Sequence, residues 1–433
     1  MKRKIISMVF VLFSATVIIS ASQETTADKD GLASLYHDIM YREALTGSLF
    51  GLREVAAERG VDVSLSITQI YQQNIHGGLS TKDRSGRYSG SYDLEVALDM
   101  EKLLNLEGAG FYLHTEGGWP EAEGINEESA GTFFGVNDDA GGCRAIDITE
   151  LWYEQSLFEG CLTVRLGKMD LTGGFECHGC PVSFDCCTFA NDETSRFLNS
   201  ALVNNPTIPF PDCALGMVIH YNPLEWWYAS IGAADAQADA RETGFNTAFH
   251  GEDYFFYIVE TGITPRVDSA NGALQGAYRV GAWYDPQEKE KFSGGSVKRD
   301  DAGIYLSFDQ MIYRENTDPE DGRGLGIFGR YGWSGSEVGP DEEVTNFWSI
   351  GLQYQGLVSG RDEDIIGCAI AQGIYSDQAE MAEDSETVME LYYNARMAGW
   401  LNLTPSLQYI DNPGGDGFVS NAVVIGARLQ MAF

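Results

Sequence analysis

The sequence predicts an all-β protein: a transmembrane β-barrel of about sixteen antiparallel strands with a short N-terminal helical extension. Apolar and polar residues alternate with period two, in segments of about ten residues, from Val61 to the end of the chain. Aromatic residues gather near the ends of these segments, as they do at the two membrane–water interfaces of a barrel. The chain also begins with a segment typical of exported proteins.

The last segment shows the alternation most clearly. Val423, Ile425 and Leu429 occupy one face, whereas Arg428 and Gln430 occupy the other. The even strand number suits a bacterial barrel that has both termini in the periplasm. Segments of this kind begin near residues 61, 88, 108, 146, 161, 215, 224, 252, 274, 301, 325, 345, 364, 386, 399 and 420.

A soluble β-sandwich or propeller is the alternative fold for so many strands. The sequence has no repeat signature of the kind a propeller shows. An outward apolar face on every strand would also make a soluble barrel prone to aggregation. The aromatic residues at segment ends, including Trp226, Trp227, Trp283, Trp348 and Trp400, favour the membrane barrel.

The N-terminal region divides into two parts. Lys2, Arg3 and Lys4 precede an apolar run and then small residues, which predicts a signal peptide over residues 1–22. A helical periplasmic extension is expected over residues 23–60, with its clearest helix from Leu49 to Arg59. The barrel itself is expected over residues 61–433.

The connections alternate between short and long, as periplasmic turns and external loops do. The longest runs over residues 171–214 and follows the fifth strand, so it is the third external loop. Its phenylalanines are too apolar for a solvated loop, and we expect this loop to pack inside the barrel and narrow the lumen. These residues are Phe175, Phe184, Phe189, Phe197 and Phe210.

The chain is strongly acidic. It has 28 Lys and Arg against 64 Asp and Glu, and removal of the three signal cations leaves 25 − 64 = −39. Such a charge repels polyanions, so nucleic acid is excluded as a partner. An aqueous lumen with this excess should favour cations or neutral solutes, although solvated acidic loops would explain the same composition.

Four of the eight cysteines lie close together in the third loop: Cys177, Cys180, Cys186 and Cys187. The first pair has the spacing of a metal knuckle, and four thiolates could hold zinc or an iron–sulfur cluster. Disulfides are favoured over a metal because an exported chain meets an oxidising compartment. No metal and no cofactor is therefore expected.

Several charged and aromatic residues fall on inward faces or at the entry to the third loop. Polar groups that replace water around hydroxyls, and rings that stack on sugar faces, are what a sugar-conducting lumen requires. Charges that pair across the wall without binding a solute are the alternative. The candidates are Glu150, Trp152, Glu154, Arg165, Lys168, Asp170, Arg279, Trp283, Arg330, Glu390, Tyr392, Arg396 and Arg428.

Enzymatic function is not expected. The six histidines are scattered without an H-x-x-x-H pair, and no G-x-S-x-G motif occurs. Glu150 and Glu154 share a strand face but are expected roughly 13 Å apart, too far for the paired carboxylates of a glycosidase.

Several segments resemble the carbohydrate-selective porin family called OprB. The C-terminal segments LTPSLQYIDNPGG and GARLQMAF are the most specific, and the N-terminal LTGSLFGLREVAAERGVDVSLS is also similar. Further similar pieces are RLGKMDLTGGF at 165–175, FLNSALVNN at 197–205 and GIFGRYGWS at 326–334.

The resemblance implies a sixteen-stranded channel in the bacterial outer membrane through which carbohydrates and other small neutral solutes diffuse passively. Sugars and outer-membrane lipid are the implied partners, and a homotrimer is compatible with this reading. Three alternatives stay open: a general cation-preferring porin, a structural or adhesion barrel plugged by its third loop, and a soluble exported sugar-binding protein.

Overall fold

The computed structural model describes most of the chain beyond residue 36. The predicted signal peptide, residues 1–22, lies outside the described residues. The described ranges are 37–119, 124–140, 142–172, 184–190, 195–211, 213–238, 254–292, 294, 296–318, 321–335, 343–379 and 381–433.

Sixteen antiparallel strands, numbered in chain order, form the barrel. They are β1 (Val61–Gly78), β2 (Gly86–Asp99), β3 (Ala109–Trp119), β4 (Arg144–Leu157), β5 (Leu162–Met169), β6 (Ala214–Leu224), β7 (Trp227–Asp235), β8 (Phe255–Ile263), β9 (Gly272–Asp285), β10 (Asp301–Arg314), β11 (Gly324–Ser334), β12 (Val344–Gln355), β13 (Ile365–Tyr375), β14 (Ser385–Ala398), β15 (Leu401–Asp411) and β16 (Ser420–Ala432).

Each strand pairs with its neighbours in sequence, and β1 pairs with β16 to close the barrel. The closing register runs from Ser66 opposite Ala432 to Gly78 opposite Ser420. β8 is interrupted after Ile263, and the segment Arg266–Ser269 continues it along the start of β9. Closure leaves no strand edge unpaired, which a barrel in lipid requires.

The predicted strands are confirmed, since each begins within three residues of its expected position. The alternation explains this agreement because one face of every strand contacts lipid and the other faces the lumen. In β8, Phe255, Tyr257 and Val259 are exposed on the outside, whereas Phe256 and Ile258 are buried inside. The inward face is thus apolar in places, because folded loops cover it.

The helices are short. They are residues 37–41, Leu52–Glu58, Met100–Leu104, Ser200–Val203, the π-helix Asn126–Ala130 and the 3-10 turn Pro413–Gly415. Among the described residues, no helix is both long and apolar enough to cross a membrane.

The helix expected from Leu49 to Arg59 begins three residues later, at Leu52. Leu49 and Phe50 adopt φ values of 48° and 62°, which belong to a turn rather than to a right-handed helix. Ser48 accepts a hydrogen bond from Gly51 N at 3.1 Å within this turn. Ser48 therefore stabilises a turn that precedes the helix.

A charge placed on the outer face of β8 should destabilise the barrel. Val259→Arg would place a guanidinium at an outward position that is 46% exposed in the isolated chain. We expect the free energy of unfolding in lipid vesicles to fall by about 2–4 kcal/mol, as for basic residues at the bilayer midplane. Denaturant titration of the vesicle-inserted barrel measures this change. Phe418→Arg, on an external loop, is the control and should change stability by less than about 0.5 kcal/mol.

Candidate functional site

Loop 3 is the connection over residues 170–213, and its described parts fold into the barrel and pack on its inner wall. Phe184 belongs to one buried apolar cluster with Phe256 of β8 and Tyr305 of β10. Phe197 belongs to a second, where its ring meets Phe328 and Tyr392 edge-on at centroid distances of 5.7 and 4.9 Å. The predicted inward packing of this loop is therefore seen in Phe184, Phe189, Phe197 and Phe210, whereas Phe175 lies outside the described residues.

Glycine residues in the barrel wall allow loop 3 to pack closely against it. A methyl group at Gly326 would overlap the ring of Phe189, and one at Gly332 would overlap the side chains of Asn205 and Thr207. Both glycines lie on the inner face of β11, where loop 3 rests against the strand. Glycine permits this approach because it has no Cβ.

Glu390 on β14 holds the middle of loop 3. Its carboxylate accepts hydrogen bonds from Leu198 N at 3.0 and 3.1 Å and from Asn199 N at 2.9 Å. Asn199 Nδ2 also donates to Gln408 Oε1 at 3.1 Å. The buried carboxylate thus satisfies amide groups that start the short helix Ser200–Val203.

Glu260 on β8 holds the described stretch 184–190 of loop 3. It accepts hydrogen bonds from Asp185 N at 2.8 Å, from the Tyr228 hydroxyl at 2.6 Å and from the Tyr305 hydroxyl at 2.8 Å. Burial raises the pKa of the Asp185 carboxyl to about 6, and the positive charge of Arg330 opposes part of this rise. An ion pair of 3.5 Å joins Asp185 to Arg330.

Two arginines complete the attachment of loop 3 through carbonyl groups. Arg330 Nη1 donates to Leu202 O at 2.9 Å, and Arg428 Nη2 donates to Arg196 O at 2.8 Å. Both arginine side chains are buried. Together with the glutamates, they fix loop 3 against strands β8, β11, β14 and β16.

Loop 2, the connection over residues 120–143, also enters the barrel. Glu386 on β14 accepts hydrogen bonds from Phe133 N at 2.9 Å and from Gly414 N at 2.6 Å. Gln72 and Gln408 both donate to Val136 O, at 2.7 and 2.9 Å. The two loops are joined because Asp138 N donates to Leu198 O at 2.8 Å.

The wall of strands β2–β5 faces these loops and carries polar side chains that remain partly exposed. We call it the acidic wall. His114 on β3 lies 3.3 Å from Asp93 Oδ1 and 2.9 Å from the Thr149 hydroxyl. On the next strands, Arg165 and Glu154 form an ion pair of 2.9 Å. The side chains of Asp93, His114 and Glu154 are 19%, 20% and 26% exposed.

Two loop carboxylates approach the acidic wall. Burial raises the pKa of Asp139 well above its ordinary value, and the charges of Glu116 and Asp93 raise it further. Burial likewise raises the pKa of Asp138, with a further contribution from Asp170 at the start of loop 3. The wall and loops therefore bring acidic groups together.

Trp152 is enclosed within this wall. Its ring stacks with Tyr112 at 4.9 Å, and the Arg165 guanidinium carbon lies 3.8 Å from its centre. The indole nitrogen donates to Glu150 Oε2 at 2.9 Å. Since only 5% of Trp152 is exposed, it positions Arg165 rather than offering a ring face to a solute.

The structure divides the predicted lumen residues into separate groups. Six lie on or beside the acidic wall: Glu150, Trp152, Glu154, Arg165, Lys168 and Asp170. Four hold loop 3 in place: Arg330, Glu390, Tyr392 and Arg428.

The remaining three predicted residues lie elsewhere. Arg279 pairs with Asp309 at 2.7 Å, and Trp283 is buried against Phe256. Arg396 pairs at 3.2 Å with Glu363, which lies in the turn that follows β12. That turn is at the end of the barrel with the chain termini, far along the strands from the loops.

Sequence reasoning did not select several residues that the structure brings to the lumen. Asp93, His114 and Asp147 belong to the acidic wall, and Glu260 and Glu386 hold the loops. The period-two alternation along β2 and β3 places Asp93 and His114 on the inward face. This pattern was therefore sufficient to predict that both residues line the lumen. The pairing of β3 with β4 shifts between His114 and Thr115, which hides Asp147 from a strict alternation.

The cysteine-rich part of loop 3 is only partly described, because Cys177 and Cys180 lie outside the described residues. Cys187 is fully buried, and burial raises the pKa of its thiol to about 12, so it carries a neutral thiol rather than a thiolate. Within the described ranges, no group of three or more His, Cys, Asp or Glu residues is arranged to hold a metal ion. Disulfide formation in this segment stays a prediction.

Weakening the Glu390 attachment should loosen loop 3. Glu390→Gln keeps the side-chain shape but replaces one acceptor oxygen with a donor that faces the Leu198 and Asn199 amides. Docking of the loop should lose about 1.5–3 kcal/mol, the range for hydrogen bonds to charged groups. We expect larger and noisier single-channel conductance in planar bilayers. Glu363→Gln, which changes a 62% exposed rim carboxylate, is the control. Identical traces for folded Glu390→Gln and wild type would contradict this role.

Comparison with known proteins agrees with the barrel fold. Residues 83–433 match the family described as carbohydrate-selective porin, OprB family. Porin B of Pseudomonas aeruginosa is 26% identical over 428 residues, covering 90% of this chain and 91% of that protein. A putative porin, QuiX, of Acinetobacter baylyi is 21% identical and covers 90% of this chain and 93% of its own.

A solved structure of Pseudomonas putida OprB at high pH superposes with a TM-score of 0.76. The alignment has 22% identity and covers 91% of this chain and 99% of that one. These matches place the protein in the bacterial outer membrane as a channel for sugars. The chain belongs to the carbohydrate-selective porin family, OprB.

Proposed function

We propose that neutral and positively charged sugars cross this porin along the acidic wall, between strands β2–β5 and the inner surfaces of loops 2 and 3. The observation that carries this proposal is that the polar anchors of residues 185–202 of loop 3 lie on strands away from the acidic wall. Glu260, Arg330, Glu390 and Arg428 hold it on β8, β11, β14 and β16. The wall on the other side keeps partly exposed polar groups.

The charge of the acidic wall sets its preference. Carboxylates outnumber cations there, so a positive solute is attracted and an anionic one is repelled. The carboxylates are Asp93, Glu116, Asp147, Glu150 and Glu154 on the wall and Asp170 beside it, and the basic residues are His114, Arg144, Arg165 and Lys168.

Neutral sugars interact with the same wall through hydroxyl groups. The partly exposed carboxylates of Asp93 and Glu154 accept hydrogen bonds, so they replace water around a hydroxylated solute. The buried Arg165 guanidinium, which lies over the ring of Trp152, holds Glu154 in place. Passage is passive, and the wall acts by solvation rather than by catalysis.

A general cation-preferring porin is the second candidate, favoured by the same excess of carboxylates. The two differ in whether sugars pass faster than other neutral solutes of equal size. The further predictions of surrounding lipid and of a homotrimer fit either candidate, and chemical crosslinking in native membranes tests the trimer.

Neutralising the acidic wall should reduce cation selectivity. In Asp93→Asn combined with Glu116→Gln, the side chains keep their size but lose two negative charges. We expect the reversal potential under a KCl gradient to shift toward the value for a non-selective pore. Glu363→Gln, at the barrel rim, should leave it unchanged. An unchanged reversal potential in the double variant would show that ions pass elsewhere.

Uptake by liposomes separates the candidate functions. Vesicles containing the barrel should swell faster in neutral hexoses than in polyols or amino acids of similar size, and slowest in uronic acids, because the wall repels carboxylates. Equal rates for all neutral solutes would favour the general porin. Absence of swelling with a correctly folded barrel would indicate a plugged barrel instead.

A further inference from the structure

The N-terminal extension follows the rim of the barrel at the end that holds the chain termini. Trp400 Nε1, in the turn between β14 and β15, donates to Ile39 O at 2.8 Å. Leu45 N donates to Ala432 O, at the end of β16, at 2.8 Å. The extension therefore crosses the seam where the last strand meets the first.

The helix Leu52–Glu58 is also held by polar contacts. Arg53 Nη2 donates to Phe433 O at 2.6 Å. On the other side, Lys102 Nζ donates to Ala57 O at 3.4 Å, which joins the helix to the turn between β2 and β3. These bonds fix the position of the helix on the rim, and they leave its apolar side chains exposed among the described residues.

The apolar residues of this region are exposed. No residue of the helix Leu52–Glu58 is buried. Phe50 is fully exposed, and Leu52 is 66% exposed. The neighbouring turn contributes Leu104 at 63%. We call this surface the rim patch, and its members are Leu49, Phe50, Leu52, Val55, Leu103 and Leu104.

Two features indicate what covers the rim patch. A helix of seven residues is marginal in water on its own, so an apolar surface is needed to stabilise it. The patch is also continuous with the lipid-facing belt, because the helix leads directly into β1, where Val63 is exposed on the outer face. Other turns at this end carry exposed apolar residues too, among them Phe158 and Trp226.

We propose that the rim patch docks onto the inner leaflet of the outer membrane, with phospholipid as its partner. The helix lies in the interface, as amphipathic interfacial helices do, and its apolar side chains enter the acyl boundary. The extension thus anchors the barrel's closing seam to the membrane.

Photocrosslinking tests this docking in the full mature chain. A photoreactive phenylalanine analogue replaces Phe50, and the folded protein is inserted into phosphatidylethanolamine vesicles and irradiated. Phe418, which is 92% exposed on the loop between β15 and β16, carries the same analogue as a control. Intact-mass measurement should show a phospholipid adduct at position 50 and none at position 418. A crosslinked dimer, a crosslink within the chain, no adduct at 50, or equal adducts at both positions would overturn the proposal.

Hydrogen exchange gives a second measurement that does not require the analogue. In vesicles, Phe50→Asp with Leu52→Asp should accelerate amide exchange over residues 52–58 by about tenfold or more, because the helix loses its surface. Phe418→Asp should not change it, and conductance should stay at the wild-type value in both variants. Fast exchange of these amides in the wild type, or no acceleration in the double variant, would show that lipid does not stabilise the helix.

Discussion

A loop that folds into a barrel carries its backbone N–H groups away from bulk water, and each of these groups needs an acceptor inside the wall. Glu260, Glu386 and Glu390 supply those acceptors here. A carboxylate can accept several hydrogen bonds at once, so Glu386 and Glu390 each satisfy two or three loop amides. The positions of loops 2 and 3 therefore depend on where the strands place these glutamates, and closure of the barrel fixes the strands.

The same residue types have two roles that depend on their surroundings. Glu390 is buried and receives amide donors from loop 3, so its charge stabilises structure. Asp93 and Glu154 are partly exposed beside His114 and Arg165, so their charges remain available to a solute. The anchors of loop 3 on β8, β11, β14 and β16 thereby form a structural set of charged residues that is separate from the solute-facing set.

The period-two pattern of the sequence was sufficient to predict the strands, because every strand lies between lipid and lumen. The phenylalanines of loop 3 likewise predicted its packing against the wall. The partners of that loop were not predictable, since Leu198 and Glu390 are 192 residues apart and no local pattern links them. Register shifts also limited the lumen assignment: the irregularity beside His114 alters which β4 residues face inward. Arg396 shows a different limit, because alternation gives the face of a strand but not the height of a residue along it.

Attachment through backbone groups has a consequence for how selectivity is set. Glu390 and Arg330 bind amide and carbonyl groups of loop 3, so they determine the path of the loop with little dependence on the side chains it carries. Different residues therefore determine the width of the passage and its chemistry. The anchors on β8, β11, β14 and β16 determine the width, and the acidic wall on β2–β5 determines which solutes are attracted. A substitution on the acidic wall can change which solutes are attracted while loop 3 keeps its position. A substitution of an anchor changes the width for every solute alike.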